Sequence, residues 1–272
     1  LAAARDYIIH WKDHPLITPS VAPHAPYTCT EEIVRLTAEL AAEYNVPLHD
    51  IGDGVCHQVI PERGKVLPGD LVLGADSHTC TYGALNACAT GLGSTDVAVG
   101  ASSGMMWFRV PESILVSLSG FLRSGVSAKD LALRLVGELG AEGATYQSIE
   151  YFGGAVTALP MDSRMTLANM GVEMGAKFSP FQFDGATAEW YASIGLQVRK
   201  GMSPDSAAVY RRTVSIDMSD VVPTIARPHR VDDVCDVNAV AGTHVDQVVI
   251  GTCTNGRVSD LISAARIVRG RK

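Results

Sequence analysis

Short apolar runs alternate along the chain with stretches in which apolar residues recur at helical spacing. The apolar runs predict three strands, over residues 71–74, 113–118 and 246–251. The helical spacing predicts helices over residues 30–44, 127–139, 165–176 and 258–268. Strands that alternate with helices in this way predict an α/β fold with a largely parallel sheet.

The helix over residues 127–139 has clear boundaries in the sequence. Ser127 followed by Asp130 resembles a capping box, with Asp in place of the usual Glu or Gln. Gly140 is a suitable residue for the end of the helix. After Val221 the chain carries Pro223 and Pro228 among several charges, and this pattern predicts an extended connector up to Cys235.

Composition narrows the class of protein. Hydrophobic residues make up 47% of the 272 residues and charged residues 19%, which is typical of a buried globular protein. The net charge of −7 gives no general attraction to nucleic acid or to anionic membranes, so an anionic substrate would need a local positive site. No apolar run reaches transmembrane length, and the six scattered cysteines favour a reduced, cytoplasmic setting.

The loop after the first predicted strand carries an acid, a hydroxyl and an imidazole. Asp76, Ser77 and His78 follow residues 71–74 directly, at the strand end where α/β proteins bind ligands. Histidine transfers protons near neutral pH, and a carboxylate partner raises its basicity. Capping and turn roles would explain Asp76 and Ser77 about as well.

Three further polar residues are candidates. Asn169 and Glu173 are four residues apart, so a helix would present both on one face, although a solvated face would show the same spacing. His57 lies in the stretch Gly54-Val55-Cys56-His57. A lone histidine is more often structural than catalytic.

Cys253 follows the third predicted strand in a turn flanked by Gly251 and Gly256, at the start of a helix. The helix N-terminus favours the thiolate, which is the form that binds metal and also the form that acts as a nucleophile. The spacing of one cysteine leaves both roles open.

Five motifs occur in an order that resembles a known family. They cover residues 54–57, 74–82, 91–96, 169–173 and 251–257. Together they resemble the large subunit of 3-isopropylmalate dehydratase and homoaconitase, in the aconitase superfamily, over residues 50–272. The resemblance implies three-layer α/β/α domains with largely parallel sheets, incomplete at both ends of this chain.

The resemblance also implies a mechanism and a set of roles. These hydro-lyases isomerise a malate-type hydroxy acid, such as isopropylmalate, by dehydration and rehydration on a [4Fe–4S] cluster held by three cysteines. Cys253 matches one cluster ligand. The other matches are the catalytic pairs His57 with Asp76 and His78 with Glu173, and the substrate-binding residues Ser77 and Asn169. A small subunit that carries the swivelling domain is the implied partner.

The chain departs from the family pattern in respects that bear on activity. The family's other two cluster ligands form a Cys-x-x-Cys pair, and this sequence contains no such pair. The arginines that hold substrate carboxylates are also missing. We therefore expect that this chain alone does not assemble a stable cluster and is inactive. A non-catalytic α/β remnant is the alternative.

Residues 1–49 differ from the rest. The stretches 16–28 and 46–49 resemble a metal-dependent amidohydrolase of the type that deaminates adenosine-like thioethers, in which the residue matching His24 contacts substrate. This resemblance predicts a boundary near residues 47–51 that divides the chain into 1–49 and 50–272. An amidohydrolase fragment is thus an alternative function, although His24 and His49 alone would make a poor metal site.

Overall fold

The computed structural model describes residues 5–6, 9–10, 30–43, 45, 48–49 and 52–270. The chain divides into two compact units, and its course passes between them more than once. The first unit consists of residues up to Gly54 together with 73–76 and 91–110, and the second of residues 55–72, 77–90 and 111 onward. The two segments 73–76 and 91–110 therefore separate stretches of the second unit in the sequence.

Within the described part of the chain, seven strands form three sheets. The strands are β1 Leu71–Gly74, β2 Cys88–Gly91, β3 Ser113–Ser119, β4 Ser148–Phe152, β5 Arg212–Asp217, β6 Thr224–Ala226 and β7 Val234–Asp236. β1 pairs with β2, and β6 pairs antiparallel with β7. The central sheet has the order β4-β3-β5 and is parallel throughout, with Ile114 opposite Ile149 and Val116 opposite Val214.

Seven α-helices connect or follow these strands within the described residues. They are α1 Glu31–Glu43, α2 Cys56–Glu62, α3 Ser94–Ser103, α4 Ala128–Leu139, α5 Met161–Asn169, α6 Gly185–Ser193 and α7 Val258–Val268. The 3-10 helices include Ser77–Leu85 and Met170–Met174. No described helix is long and apolar enough to cross a membrane.

The core of the second unit lies around β3 and α4. Alternate residues of β3 are buried (Ile114, Val116 and Leu118), and α4 buries an apolar face that includes Leu131 and Leu135. Each of these side chains contributes about 1.5–3 kcal/mol of hydrophobic free energy when it is fully buried. This packing supports the elements on which the candidate site residues of this unit lie.

Most predicted elements are confirmed. The α/β class, the strands at 71–74 and 113–118, and the helices that became α1, α4 and α7 all occur in the structure. The capping box of α4 is present: Asp130 Oδ2 accepts hydrogen bonds of 2.7 Å from the backbone N–H and the hydroxyl of Ser127. Gly140 ends α4 in a conformation with φ of 87°.

The strand predicted over residues 246–251 is wrong. The described chain forms no strand there, and Val248 and Val249 are 75% and 78% exposed. An apolar run becomes a strand only when a neighbouring strand accepts and donates its backbone hydrogen bonds. Within residues 52–270 no strand does so for this run.

Two other predictions differ in detail. The helix predicted over 165–176 begins earlier, at Met161 after Pro160, and tightens into a 3-10 helix from Met170 until Gly175 ends it with φ of 80°. The connector predicted after Val221 contains the paired strands β6 and β7. Both differences come from backbone hydrogen bonds that side-chain patterns do not specify.

Candidate functional site

The residue pair at the centre of the candidate site is His78 with Glu173. His78 lies on the 3-10 helix Ser77–Leu85, which two residues separate from the end of β1. The sequence had predicted a loop at this position. Its Nε2 lies 3.4 Å from Glu173 Oε1, and its Nδ1 lies 3.2 Å from the Ser77 hydroxyl. The sequence-predicted residues Ser77, His78 and Glu173 are therefore brought together, and both ring nitrogens have an oxygen close by.

The environment of this pair favours its charged form. Hydrogen bonds to Cys253 and then to Glu173 raise the pKa of His78 to about 10, although burial opposes the shift. The hydrogen bond from His78 lowers the pKa of Glu173, against the effect of burial, and the charges of His78 and Lys129 add to the shift. At neutral pH the pair is an imidazolium and a carboxylate.

Asn169 contacts the cysteine of the candidate site. It is fully buried at the end of α5, and its Nδ2 donates to Cys253 Sγ at 3.5 Å and to Thr81 Oγ1 at 2.9 Å. Its Oδ1 accepts a 2.6 Å hydrogen bond from the Thr254 hydroxyl. Because both ends of the amide are engaged, the orientation of Asn169 is fixed and an N–H group points at the sulfur.

The backbone around Cys253 is held by Arg257, a buried residue. Nη1 of Arg257 donates to Thr254 O at 2.9 Å and Nη2 donates to Cys253 O at 3.3 Å. Nε donates to Gln58 Oε1 at 3.0 Å, which links the loop to α2. The sequence alone did not indicate this role of Arg257. The signal that could have indicated an ordered turn is Asp260, whose carboxylate accepts from the backbone N–H groups of Gly256 and Arg257.

His57 lies next to Gln58 on α2 and is buried. Its Nδ1 is 3.1 Å from the hydroxyl of Tyr82, and the two rings meet edge to face. Tyr82 lies within a sequence motif but had no role assigned from it. Asp76 belongs to the first unit, whereas His57 belongs to the second, and the pairing of His57 with Asp76 stays a prediction.

Cys253 is the sulfur that the candidate site could offer to a metal centre. Its Sγ accepts a hydrogen bond from Asn169 Nδ2, and it also interacts with His78. Cys80 Sγ lies 3.4 Å from the backbone oxygen of Asn169. Among the described residues no group of three His, Cys, Asp or Glu side chains is placed to hold a metal ion. A cluster ligated by three cysteines therefore does not fit these residues by themselves, while one corner of such a cluster fits Cys253.

Comparisons with known proteins identify the family. The model of the aconitase family (aconitate hydratase) matches residues 13–272. The chain is 48% identical over 244 residues to "3-isopropylmalate dehydratase large subunit 2" of Archaeoglobus fulgidus, which covers 88% of this chain and 57% of the relative. It is 46% identical over 266 residues to "Probable methanogen homoaconitase large subunit" of Methanosarcina mazei, with 96% and 68% covered. The chain thus spans less than three-fifths of the length of the first of these relatives.

The same comparisons bear on the first 49 residues. The family match begins at residue 13, so they give no support to the amidohydrolase resemblance of that segment. Residues 16–28, including His24, lie outside the described residues, and His49 Nδ1 lies 3.2 Å from Asp53 Oδ2. The boundary near residues 47–51 stays a prediction. Since the family match extends over almost the whole sequence, the chain belongs to the aconitase family.

Proposed function

We propose that this chain is part of the large subunit of an iron–sulfur hydro-lyase. Its reaction would be the isomerisation of a malate-type hydroxy acid, such as isopropylmalate, by dehydration and rehydration. The observation that carries the proposal is the convergence of Cys253, His78 and Glu173 in a chain whose relatives are named 3-isopropylmalate dehydratase and homoaconitase.

His78 is proposed as the group that assists departure of the substrate hydroxyl. Loss of hydroxide requires a proton or a strong hydrogen bond at the leaving oxygen, and an imidazolium supplies either one. Nε2 lies 3.4 Å from Glu173 and Nδ1 lies 3.2 Å from the exposed Ser77 hydroxyl, so a substrate bound at Ser77 would lie within reach of the imidazolium. Glu173 keeps the imidazole protonated between turnovers because the ion pair favours the charged form.

The contacts of Ser77 and Asn169 support their proposed roles, whereas the roles of His57 and Asp76 rest on the family resemblance. Ser77 is exposed and close to His78, which supports a contact with substrate. The amide of Asn169 is engaged by Thr81, Thr254 and Cys253, which supports a role in orienting the sulfur rather than in holding substrate. His57 and Asp76 are proposed as a second imidazole–carboxylate pair.

Cys253 is proposed as one ligand of a [4Fe–4S] cluster whose other thiolates come from outside this stretch. The relatives are longer than this chain, which supports a source for the other cluster ligands. They are called large subunits, which supports a partner small subunit with the swivelling domain. The six scattered cysteines support a cytoplasmic protein, and the net charge of −7 supports the absence of a nucleic-acid or membrane partner.

Anaerobic reconstitution with Fe²⁺ and sulfide, followed by iron and sulfide analysis, tests the cofactor assignment. We expect this chain alone to retain less than one cluster, and a stoichiometric cluster would contradict that expectation. The longer polypeptide that contains this stretch, reconstituted with its small subunit, should hydrate isopropylmaleate, followed by the loss of alkene absorbance.

The same assay tests the roles of the residues. Glu173→Gln should lower kcat by about 10²–10⁴ because the general acid loses its partner. Lys200→Gln, a change at an exposed lysine, is the matched control. A reconstituted complex that hydrates no malate-derived alkene would favour the non-catalytic alternative.

A further inference from the structure

One lysine lies beside the candidate site and has no role so far. Lys129 is in the first turn of α4, and its Nζ donates to Met170 Sδ at 3.5 Å. Met170 follows Asn169 directly and begins the 3-10 helix that carries Glu173. Lys129 is partly buried, and its ammonium contacts this 3-10 helix at Met170.

The ammonium is close enough to interact with both acidic groups of the site. Burial lowers the pKa of Lys129, and the negative charges of Glu173 and Cys253 oppose that shift. In return the charge of Lys129 contributes to the lowered pKa of Glu173. The ammonium of Lys129 therefore places a positive charge near Glu173 and Cys253, and this charge favours the approach of an anion.

The donors of Lys129 are less fully used than those of nearby cations. Arg164 donates to the Asp184 carboxylate and to the carbonyls of Val156 and Leu159. Arg257 likewise donates to two carbonyls and to Gln58. An ammonium has three N–H donors, and a thioether sulfur is a weak acceptor. Lys129 therefore has hydrogen-bonding capacity for a ligand.

We propose that Lys129 binds a carboxylate of the hydroxy-acid substrate. The inference rests on the proposed function and deepens it by naming the charge that attracts the substrate. A protein of net charge −7 needs a local cation to bind an anion, and a partly desolvated ammonium gains from pairing with one. The carboxylate would lie close to His78 and Glu173, and this places the neighbouring hydroxyl near the proton on His78.

Calorimetric titration of this chain with malate tests the proposal. Lys129→Met keeps the aliphatic stem and removes the charge, so malate binding should weaken at least about 10-fold. Lys129→Arg keeps a charge and should retain part of the affinity. Lys200→Gln, a change at an exposed lysine, should bind malate like the unaltered chain. Malate dimethyl ester lacks the charges, and its weak binding should not differ between these proteins.

The outcomes separate this proposal from the hydro-lyase proposal. Unchanged malate affinity in a folded Lys129→Met chain, checked by circular dichroism, overturns the role of Lys129, as does an unaltered chain that binds no malate. If Lys129→Met fails to fold, a Lys129→Arg chain that has lost all malate binding overturns it. Weakened binding in Lys129→Met together with a reconstituted complex that hydrates no alkene supports the carboxylate site and removes the hydro-lyase function.

Discussion

Two charged pairs involve residues on or just after helix α5, and they differ in burial and in hydrogen-bond geometry. Arg164 on α5 pairs with Asp184 at the start of α6, and Glu173, just after α5, pairs with His78. The side chain of Arg164 is 0% exposed and that of Asp184 is 18% exposed, whereas those of His78 and Glu173 are 25% and 35% exposed. The first pair is bidentate, at 2.9 and 2.7 Å, while the second is a single contact of 3.4 Å.

These differences suit the Arg164–Asp184 pair to stabilising the fold and the His78–Glu173 pair to proton transfer. The guanidinium of Arg164 also donates to Thr187 and to two backbone carbonyls. Such a pair holds elements together and has no proton to give, because arginine stays protonated at all ordinary pH values. The imidazole of His78 can lose its proton, and its partner is accessible to solvent. The two pairs are therefore expected to respond differently to substitution and to pH.

The largest effect is expected from Arg164→Met. It leaves the Asp184 carboxylate without its partner and two buried carbonyls without their donor, which should lower the free energy of unfolding by about 3–5 kcal/mol. Urea denaturation measures the change. Arg134→Met removes an exposed pair with Glu138 and should cost less than about 1 kcal/mol. Equal costs for the two substitutions would mean that burial does not distinguish the pairs.

A smaller effect is expected from Asp184→Asn, at about 1–3 kcal/mol, because hydrogen bonds to a charged acceptor become hydrogen bonds to a neutral one. Burial works against ionisation of Asp184, but hydrogen bonds from Arg164 and from Thr187 N–H outweigh it and hold the pKa of Asp184 below its ordinary value of 3.8. The stabilisation is thus present above pH 3.8 and is lost as the pH falls further.

Urea midpoints between pH 2 and 5 check this pH dependence. Asp184→Asn should flatten the acid limb of the stability curve, and Glu138→Gln, at an exposed pair, serves as the control. An acid limb that keeps its slope in Asp184→Asn would assign the acid loss of stability to other carboxyls.

The smallest effect on stability is expected from Glu173→Gln, at less than about 1 kcal/mol, because the pair is partly exposed. The pKa of His78 should fall from about 10 but stay above 6.5, since the hydrogen bond to Cys253 is the larger cause of its rise. Cys253→Ala should lower the pKa of His78 further than Glu173→Gln does.

Histidine ring proton shifts followed by NMR titration give this pKa directly. A raised histidine pKa contributes stability that is complete below pH 6.5 and is lost as the pH rises through about 10. The alkaline loss of stability should therefore be smaller in both variants than in the unaltered chain. A pKa of His78 that Glu173→Gln leaves unchanged would contradict the pairing.

Local structure was predictable where neighbours in sequence decide it. The capping box of α4 needs only Ser127 and Asp130, three residues apart, and it formed as expected. The helix α7 after Cys253 was predicted with its observed bounds. The strand over 246–251 was not predictable in this way, because strand formation depends on a partner strand from elsewhere in the chain.

In the candidate site, too, local features were predictable and contacts between distant residues were not. Position and chemistry identified His78, Glu173, Asn169 and Cys253 as candidates, and the resemblance to a family supplied their roles. The spacing of residues that lie 95 positions apart, as His78 and Glu173 do, carries no information about contact. Arg257 and Lys129 were missed because the partners of a long cationic side chain depend on which elements pack nearby.

The amino-acid sequence by itself determined the α/β class, the bounds of its best-capped helices and the family, because these follow from periodicity, local hydrogen bonding and motif order. Only the tertiary structure decided that Arg164 stabilises the fold and that His78 is held as an imidazolium between Glu173 and Cys253. The physical reason is that burial and through-space charge set the strength of a pair and the pKa of its members, and both arise when distant segments pack together.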